Sequence, residues 1–293
     1  MREIFAPLDG TKAADTALSW VAYAARRASA RVRLFSVIPL ESEHDRDVSE
    51  REAYLEGHRR ALEAQGIQVD AELARGDPAR RITTRARDAD LTVMTSGTVR
   101  WVVSAVLDRV LQDIEGPLVV VRTTPGEQKV PPEPKKILVP LDSASYPSQV
   151  LPVVTDLAAS LGSSVVLCHI VPALGGYQAS EDAPPGIARA MGEWLNEPNE
   201  FVSSAAADLR AAGLEVETVT AAGEPAQRIR RLAESCGAGL IAMTTRGRDS
   251  LGRRVTGSVS NQVLESTAIP CLLLRRKSDA IAASPEAGNR VTV

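Results

Sequence analysis

The chain repeats itself at long range, and that repetition limits its fold more than any other feature. The opening run MREIFAPLDG (Met1 to Gly10) returns as KKILVPLDSA from Lys135. Each copy is a short apolar stretch ending in Pro-Leu-Asp, at Pro7-Leu8-Asp9 and at Pro140-Leu141-Asp142. ARGDPARRI (Ala74 to Ile82) then returns as AAGEPAQRI (Ala221 to Ile229). Leu91-Thr92-Val93-Met94-Thr95 returns as Leu240-Ile241-Ala242-Met243-Thr244, and GPLVVVR (Gly116 to Arg122) as IPCLLLR (Ile269 to Arg275). Four blocks in one order make chance similarity untenable. A period this long marks a duplicated domain, since solenoid repeats run to roughly 20–50 residues. The 293 residues accommodate two such domains at roughly 100–200 residues each.

Each half alternates strand and helix signals. In the first, short runs rich in Val, Ile and Leu predict strands near 2–8, 31–38, 67–73, 90–95 and 117–122. Between them, Ala14, Ala17, Leu18, Val21 and Ala25 form one helical stripe, and Leu107, Val110, Leu111 and Ile114 another. Asp77-Pro78 and Glu224-Pro225 read as helix starts, where proline's missing N–H costs nothing. Such alternation implies right-handed βαβ crossovers and a parallel sheet covered on both faces. The expectation is α/β: two tandem five-stranded, doubly wound domains. Ligands of such sheets bind beyond the carboxyl ends of the strands, where strand order reverses. The domains are expected at 1–124 and 135–276, joined by a polar, proline-rich linker at 125–134. Residues 277–293 are expected to form a disordered tail, and Gly175 to Pro198 an additional loop leading into a helix.

Composition removes several function classes. A net charge of −3 lacks the basic excess of a general nucleic-acid binder. No apolar run of about 18 residues is present, so no membrane span is expected. The N-terminus has no basic-then-apolar secretory pattern. Cys168, Cys236 and Cys271 are far apart, and with three histidines they make no zinc pattern. A cytoplasmic protein is expected.

The chemistry concentrates at Thr244 to Ser258, TTRGRDSLGRRVTGS. An apolar strand feeds a loop rich in glycine and arginine, and Gly257-Ser258 then opens an amphipathic stretch. Glycines admit a close ligand, and N–H groups at a helix N-terminus face an anion. Arg246, Arg248, Arg253 and Arg254 add positive charge. Taken alone, the loop reads equally as a phosphate site or as a solvated turn. Asp142 and Ser258 read as helix caps as readily as ligand contacts. Ile170 and Met243 read as core, His169 as a satisfied strand residue, and His44 and His58 as solvated.

Together the Pro-Leu-Asp strand ends, the repeated blocks and this loop resemble the universal stress protein family in its tandem two-domain form. The resemblance spans about residues 2–122 and 135–275. It implies Rossmann-like domains with strand order 3-2-1-4-5. Nucleotide-binding members carry G-x2-G-x9-G-[S/T] after the fourth strand. Here Gly247, nine residues and Gly257-Ser258 fit, while Thr244 replaces the first glycine. Carried over, Asp142 would bond adenine or ribose, and Pro140 and Leu141 would shape the pocket wall. Ile170 and Met243 would flank the base. Gly247, Arg248, Gly257 and Ser258 would surround the phosphates of ATP, ADP or AMP, accompanied by Mg²⁺.

The first half keeps Asp9 and Met94 but departs downstream. From the matched threonine to the matched helix start it takes 9 steps (95 to 104), against 13 (244 to 257). Trp101, Val102 and Val103 stand where phosphates need polar donors, and Ser104-Ala105 replaces Gly257-Ser258. The first half is therefore expected to have a structural or regulatory role without nucleotide. Its fifth strand offers an edge to that of the second half, giving an intramolecular pseudo-dimer, and two chains are expected to pair again as a homodimer. Three readings follow: a nucleotide-controlled stress regulator with an unknown protein partner, an interaction protein without nucleotide, and a slow ATP hydrolase. No carboxylate or histidine stands at a spacing that activates water, and no G-x4-G-K-[ST] loop is present, so an enzyme is the least favoured.

Overall fold

A computed structural model describes residues 1–40, 45–96, 105–122, 131–141, 147–171, 200–245 and 258–275. Ten strands and eight helices alternate within them. The first half contains β1 (Glu3–Pro7), α1 (Lys12–Ala28), β2 (Arg31–Ile38), α2 (Asp45–Glu63), β3 (Val69–Arg75), α3 (Pro78–Ala86), β4 (Leu91–Thr95), α4 (Ala105–Asp113) and β5 (Leu118–Val121). The second half contains β6 (Lys136–Leu141), α5 (Pro147–Leu161), β7 (Ser164–Val171), α6 (Glu200–Ala211), β8 (Val216–Ala222), α7 (Pro225–Ser235), β9 (Leu240–Thr245), α8 (Ser258–Ser266) and β10 (Cys271–Arg275).

All ten strands join one sheet, ordered β3-β2-β1-β4-β5-β10-β9-β6-β7-β8. Each half is parallel with order 3-2-1-4-5. The halves meet where β5 and β10 pair antiparallel, with Val120 opposite Cys271, Val119 opposite Leu272 and Leu118 opposite Leu273. The pairing of fifth strands expected from the sequence thus occurs inside the chain. It also sets a pseudo-twofold relation, so the carboxyl ends of the two parallel sets point in opposite directions.

Local sequence explains the elements. The stripe Ala14, Ala17, Leu18, Val21 and Ala25 is buried along α1, and Leu107, Val110, Leu111 and Ile114 are buried at α4. Asp77 caps α3 by accepting from the Arg80 N–H at 2.9 Å, and Glu224 caps α7 by accepting from Gln227 at 2.7 Å. Pro78 and Pro225 follow as first helical residues. One apolar layer packs α1, α2, α5 and α6 on one sheet face, and the other packs α3, α4, α7 and α8 on the opposite face. Both layers run through both halves. Arg27 Nε donates to the Leu161 carbonyl at 2.9 Å and Arg122 Nη1 to that of Thr267 at 3.2 Å, across the join.

Two details depart from the sequence reading. His58 is not solvated: its Nε2 lies 3.0 Å from Asp15 Oδ1 and its ring meets the edge of Tyr54, so it ties α2 to α1. Thr244 is not in a turn but in β9, opposite Leu274 of β10. His44, the segment Gly175 to Pro198, the tail 277–293 and linker residues 125–130 lie outside the described residues. Among the described residues, no helix is long and apolar enough to cross a membrane.

Candidate functional site

Strand order reverses between β1 and β4 in the first half, and between β6 and β9 in the second. The ladder at each reversal is short. β1 pairs with β4 only at Ile4–Leu91 and Phe5–Thr92, yet pairs with β2 through Pro7–Phe35. Likewise β6 pairs with β9 only at Ile137–Leu240 and Leu138–Ile241, yet with β7 through Leu141–His169. Pro7 and Pro140 therefore stand just beyond the last pair, where a missing N–H removes a donor that would close the ladder. In the first half a crevice opens there, beyond the carboxyl ends.

The strand ends of the second half carry several of the residues singled out from the sequence. Pro140 and Leu141 end β6, Ile170 lies near the end of β7, and Met243 and Thr244 near that of β9. Met243 and Leu141 are buried, while Pro140, Ile170 and Thr244 are half-buried. Ser258 is the first residue of α8. Twelve residues (246–257) separate β9 from α8, against nine (96–104) between β4 and α4. The equivalent helices start at matched positions, Ala105 and Ser258, so the added length belongs to the loop and one extra strand residue. Asp142, Gly247, Arg248 and Gly257 lie outside the described residues, as do the other loop arginines and Trp101 to Ser104.

His169 holds its place through Nδ1, 3.0 Å from the Leu141 carbonyl. A carbonyl only accepts, so Nδ1 carries the proton of this bond. Its counterpart in the first half is Ser36, whose hydroxyl donates to the Leu8 carbonyl at 2.6 Å. Both side chains secure the strand end that precedes the aspartate.

The first-half crevice is a cavity of about 250 Å³. Its apolar walls include Pro7, Leu8, Phe35, Ile82, Met94 and Val106, and its polar groups are Asp9, Arg51 and Thr95. Asp9 Oδ1 accepts from the Thr11 N–H at 3.0 Å and the Thr11 hydroxyl at 2.6 Å. Arg51 Nη1 donates to Ser36 Oγ at 3.1 Å. Sequence reasoning missed Arg51, because nothing in α2 marks which arginine turns toward β1. Nearby, burial and then the Asp15 carboxylate push the Tyr54 phenol above its ordinary pKa.

No group of three or more His, Cys, Asp or Glu that could hold a metal occurs among the described residues. Burial pushes the Cys168 and Cys271 thiols up to about 12, so neither is a nucleophile at neutral pH.

Known proteins share this arrangement. The model of the universal stress protein family matches residues 1–122 and again 133–275. A universal stress protein of Mycobacterium tuberculosis is 24% identical over 308 residues, covering 93% of this chain and 94% of its own. The universal stress protein YxiE of Bacillus subtilis is 27% identical over 150 residues, 48% of this chain and 98% of its own. Among solved structures, a universal stress protein from Archaeoglobus fulgidus superposes with a TM-score of 0.71 at 19% identity, covering 94% of this chain and 98% of that one. A structure from Pseudomonas aeruginosa gives 0.65 at 15%, covering 94% and 93%. With the repeated halves, the 3-2-1-4-5 order in each and the family model matched twice, the chain belongs to the universal stress protein family and carries its domain in tandem.

Proposed function

We propose that the second half binds ATP, or another adenine nucleotide, and that the chain works as a nucleotide-controlled regulator of a stress response. The observation that carries this reading is the start of α8 at Ser258, twelve residues (246–257) after β9, whose ladder with β6 stops at Leu138–Ile241. The first turn of a helix has unpaired N–H groups that favour an anion. In this reading Gly257, Ser258, Gly247 and Arg248 hold the phosphates. Pro140, Leu141, Ile170 and Met243 wall the base, and Asp142 takes a donor from adenine or ribose. Mg²⁺, when bound, neutralises phosphate charge. The position of Thr244 in β9 supports the reading, since a β-branched residue suits a strand and the missing first glycine removes no turn.

The regulator would act in the cytoplasm on a protein partner, with nucleotide ordering the loop at Arg246 to Thr256. The fifth strands are already paired to each other, so a homodimer would use other surfaces. Mass spectrometry of ligand released from the purified chain, with calorimetry of ATP and Mg²⁺, tests the reading. One nucleotide per chain is expected, and loss of binding in Gly257→Asp. Absence of both co-purified nucleotide and binding heat would leave the chain a nucleotide-independent interaction protein.

A further inference from the structure

The helix whose first turn carries the proposed phosphate contacts is short, and its far end is tied to the other half of the chain. α8 has nine residues, Ser258–Ser266, and at about 1.5 Å per residue it spans about 14 Å. A helix of this length is marginal by itself, so its packing and its ends decide where it lies. Val263 and Leu264 bury one side in the core layer that it shares with β9 and β10. At the C-terminal end, Thr267 N–H donates to the Val263 carbonyl at 3.1 Å, which continues the helical pattern by one residue. The Ser266 hydroxyl donates to the Gln262 carbonyl at 2.6 Å.

The Thr267 carbonyl is one of the helix-end acceptors that no N–H of the helix reaches. Its donor comes from the first half: Arg122 Nη1, 3.2 Å away and 145 residues earlier in the chain. Arg122 directly follows β5, whose antiparallel pairing with β10 brings it to the end of α8. Thr267 is buried, and its hydroxyl accepts from the Ile269 N–H at 3.1 Å, so the acceptor is itself fixed. A guanidinium at this end is also the favourable charge for the carbonyl pole of a helix. The counterpart pair in the first half is Arg275 and Ile114, and among the described residues no hydrogen bond joins them. Of the two helices, α8 is the one held this way.

We propose that Arg122 is a positioning residue for the nucleotide site of the second half: by holding the C-terminal end of α8, it sets where the Ser258 end stands against the phosphates. The inference rests on the reading that α8 receives those phosphates. It gives the first half a part in binding although that half is expected to take no nucleotide. Linkage is reciprocal, so nucleotide at the Ser258 end tightens the contact between Arg122 and Thr267. Occupancy of the second half is thereby reported to the end of β5, just before the linker.

Calorimetry of ATP with Mg²⁺ on the full chain tests this with Arg122→Met, Arg122→Lys and Arg27→Met, each checked for folding by urea unfolding. Arg27 makes a separate bond across the join, to the Leu161 carbonyl on the other sheet face, and so controls for general loosening of the halves. Arg122→Met should weaken ATP by about fivefold, the factor set by the net worth of one hydrogen bond. Arg122→Lys should recover part of that affinity, and Arg27→Met should stay within about twofold of wild type. In the wild type, ATP should slow hydrogen exchange at the Thr267 and Ile269 N–H groups, a reading that needs no variant to fold. An Arg122→Met affinity within about twofold of wild type would overturn the proposal. So would an equal loss in Arg27→Met, or exchange at Thr267 and Ile269 that ATP leaves unchanged. A wild-type chain that binds ATP with none of these effects sinks this inference alone. One that binds no ATP sinks the reading of the second half, and this inference with it.

Discussion

Replacing Gly239 with alanine tests how the linker is seated against the second half. A Cβ at Gly239 would meet the Glu133 carbonyl oxygen at 2.0 Å, its carbon at 2.6 Å and Pro134 Cα at 2.8 Å. All three obstacles are backbone, and both sides are tethered. Gly239 N–H donates to the Lys136 carbonyl at 2.9 Å, and Lys135 N–H to that of Glu133 at 2.8 Å. Adding atoms to packed sites costs about 1–3 kcal/mol, and two tethered backbones place this case at about 3. The lower entropy of the unfolded alanine chain returns about 0.4–1 kcal/mol, because Gly239 has no positive φ to forbid the residue. The net loss is about 2 kcal/mol. Gly57 supplies the contrast: it lies inside α2 with nothing within 4 Å of an added Cβ, so Gly57→Ala should gain about 1 kcal/mol of helix propensity. Urea unfolding followed by circular dichroism should shift the two midpoints in opposite directions. A Gly239→Ala midpoint at or above wild type, with Gly57→Ala behaving as expected, would refute the packing of Glu133 and Pro134 on β9.

Asp77 caps α3 and lies 2.7 Å from Arg109, and the Arg109 bond foremost, then the Arg80 N–H, hold its carboxyl below the usual range. A depressed carboxyl stabilises the fold above its unfolded value, near 4, and loses that contribution as pH falls through the lower folded value. Asp77→Ala should cost about 1 kcal/mol at pH 7 and Asp77→Asn less, since Asn still caps, and denaturation at pH 7 and pH 3 should show the wild-type advantage shrinking in acid. Leu272 is fully buried at the β5–β10 join, so Leu272→Ala should cost about 2–5 kcal/mol in urea unfolding, and a loss below about 1 would mean the join is not core. Cys236 is half-buried while Cys168 and Cys271 are enclosed, so at pH 8 a thiol reagent should label Cys236 alone in the folded chain and all three in denaturant. Rapid labelling of Cys271 in the folded state would contradict its place in the central sheet.

Much of the fold was legible because its signals are local. The stripes of α1 and α4, the caps Asp77 and Glu224 and the apolar strands depend on residues a few positions apart, and each appears where those residues require. The duplication carried the same reading into the second half. It also pointed to the β5–β10 pairing, because a strand left at the edge of each copy invites the other. Of the candidate residues, the strand-end positions of four were legible. Pro140, Leu141, Ile170 and Met243 lie at or near three strand ends that register and strand order set side by side, Leu141 in the core on one face of the sheet and Ile170 and Met243 against the other.

By itself the sequence determined two copies of one α/β domain, their internal alternation, and the loss of Gly-Ser and loop length in the first copy. Tertiary structure alone decided that Arg51 lies over Gly10, that Glu133 lies against Gly239, and that His58 meets Asp15. It also decided that the carboxyl ends of the two parallel sets lie at opposite edges of one sheet. The physical reason is range. Periodicity and capping act within a turn or two of chain, whereas these contacts join segments that come together only after helices have packed on the sheet and the sheet has closed across the two halves.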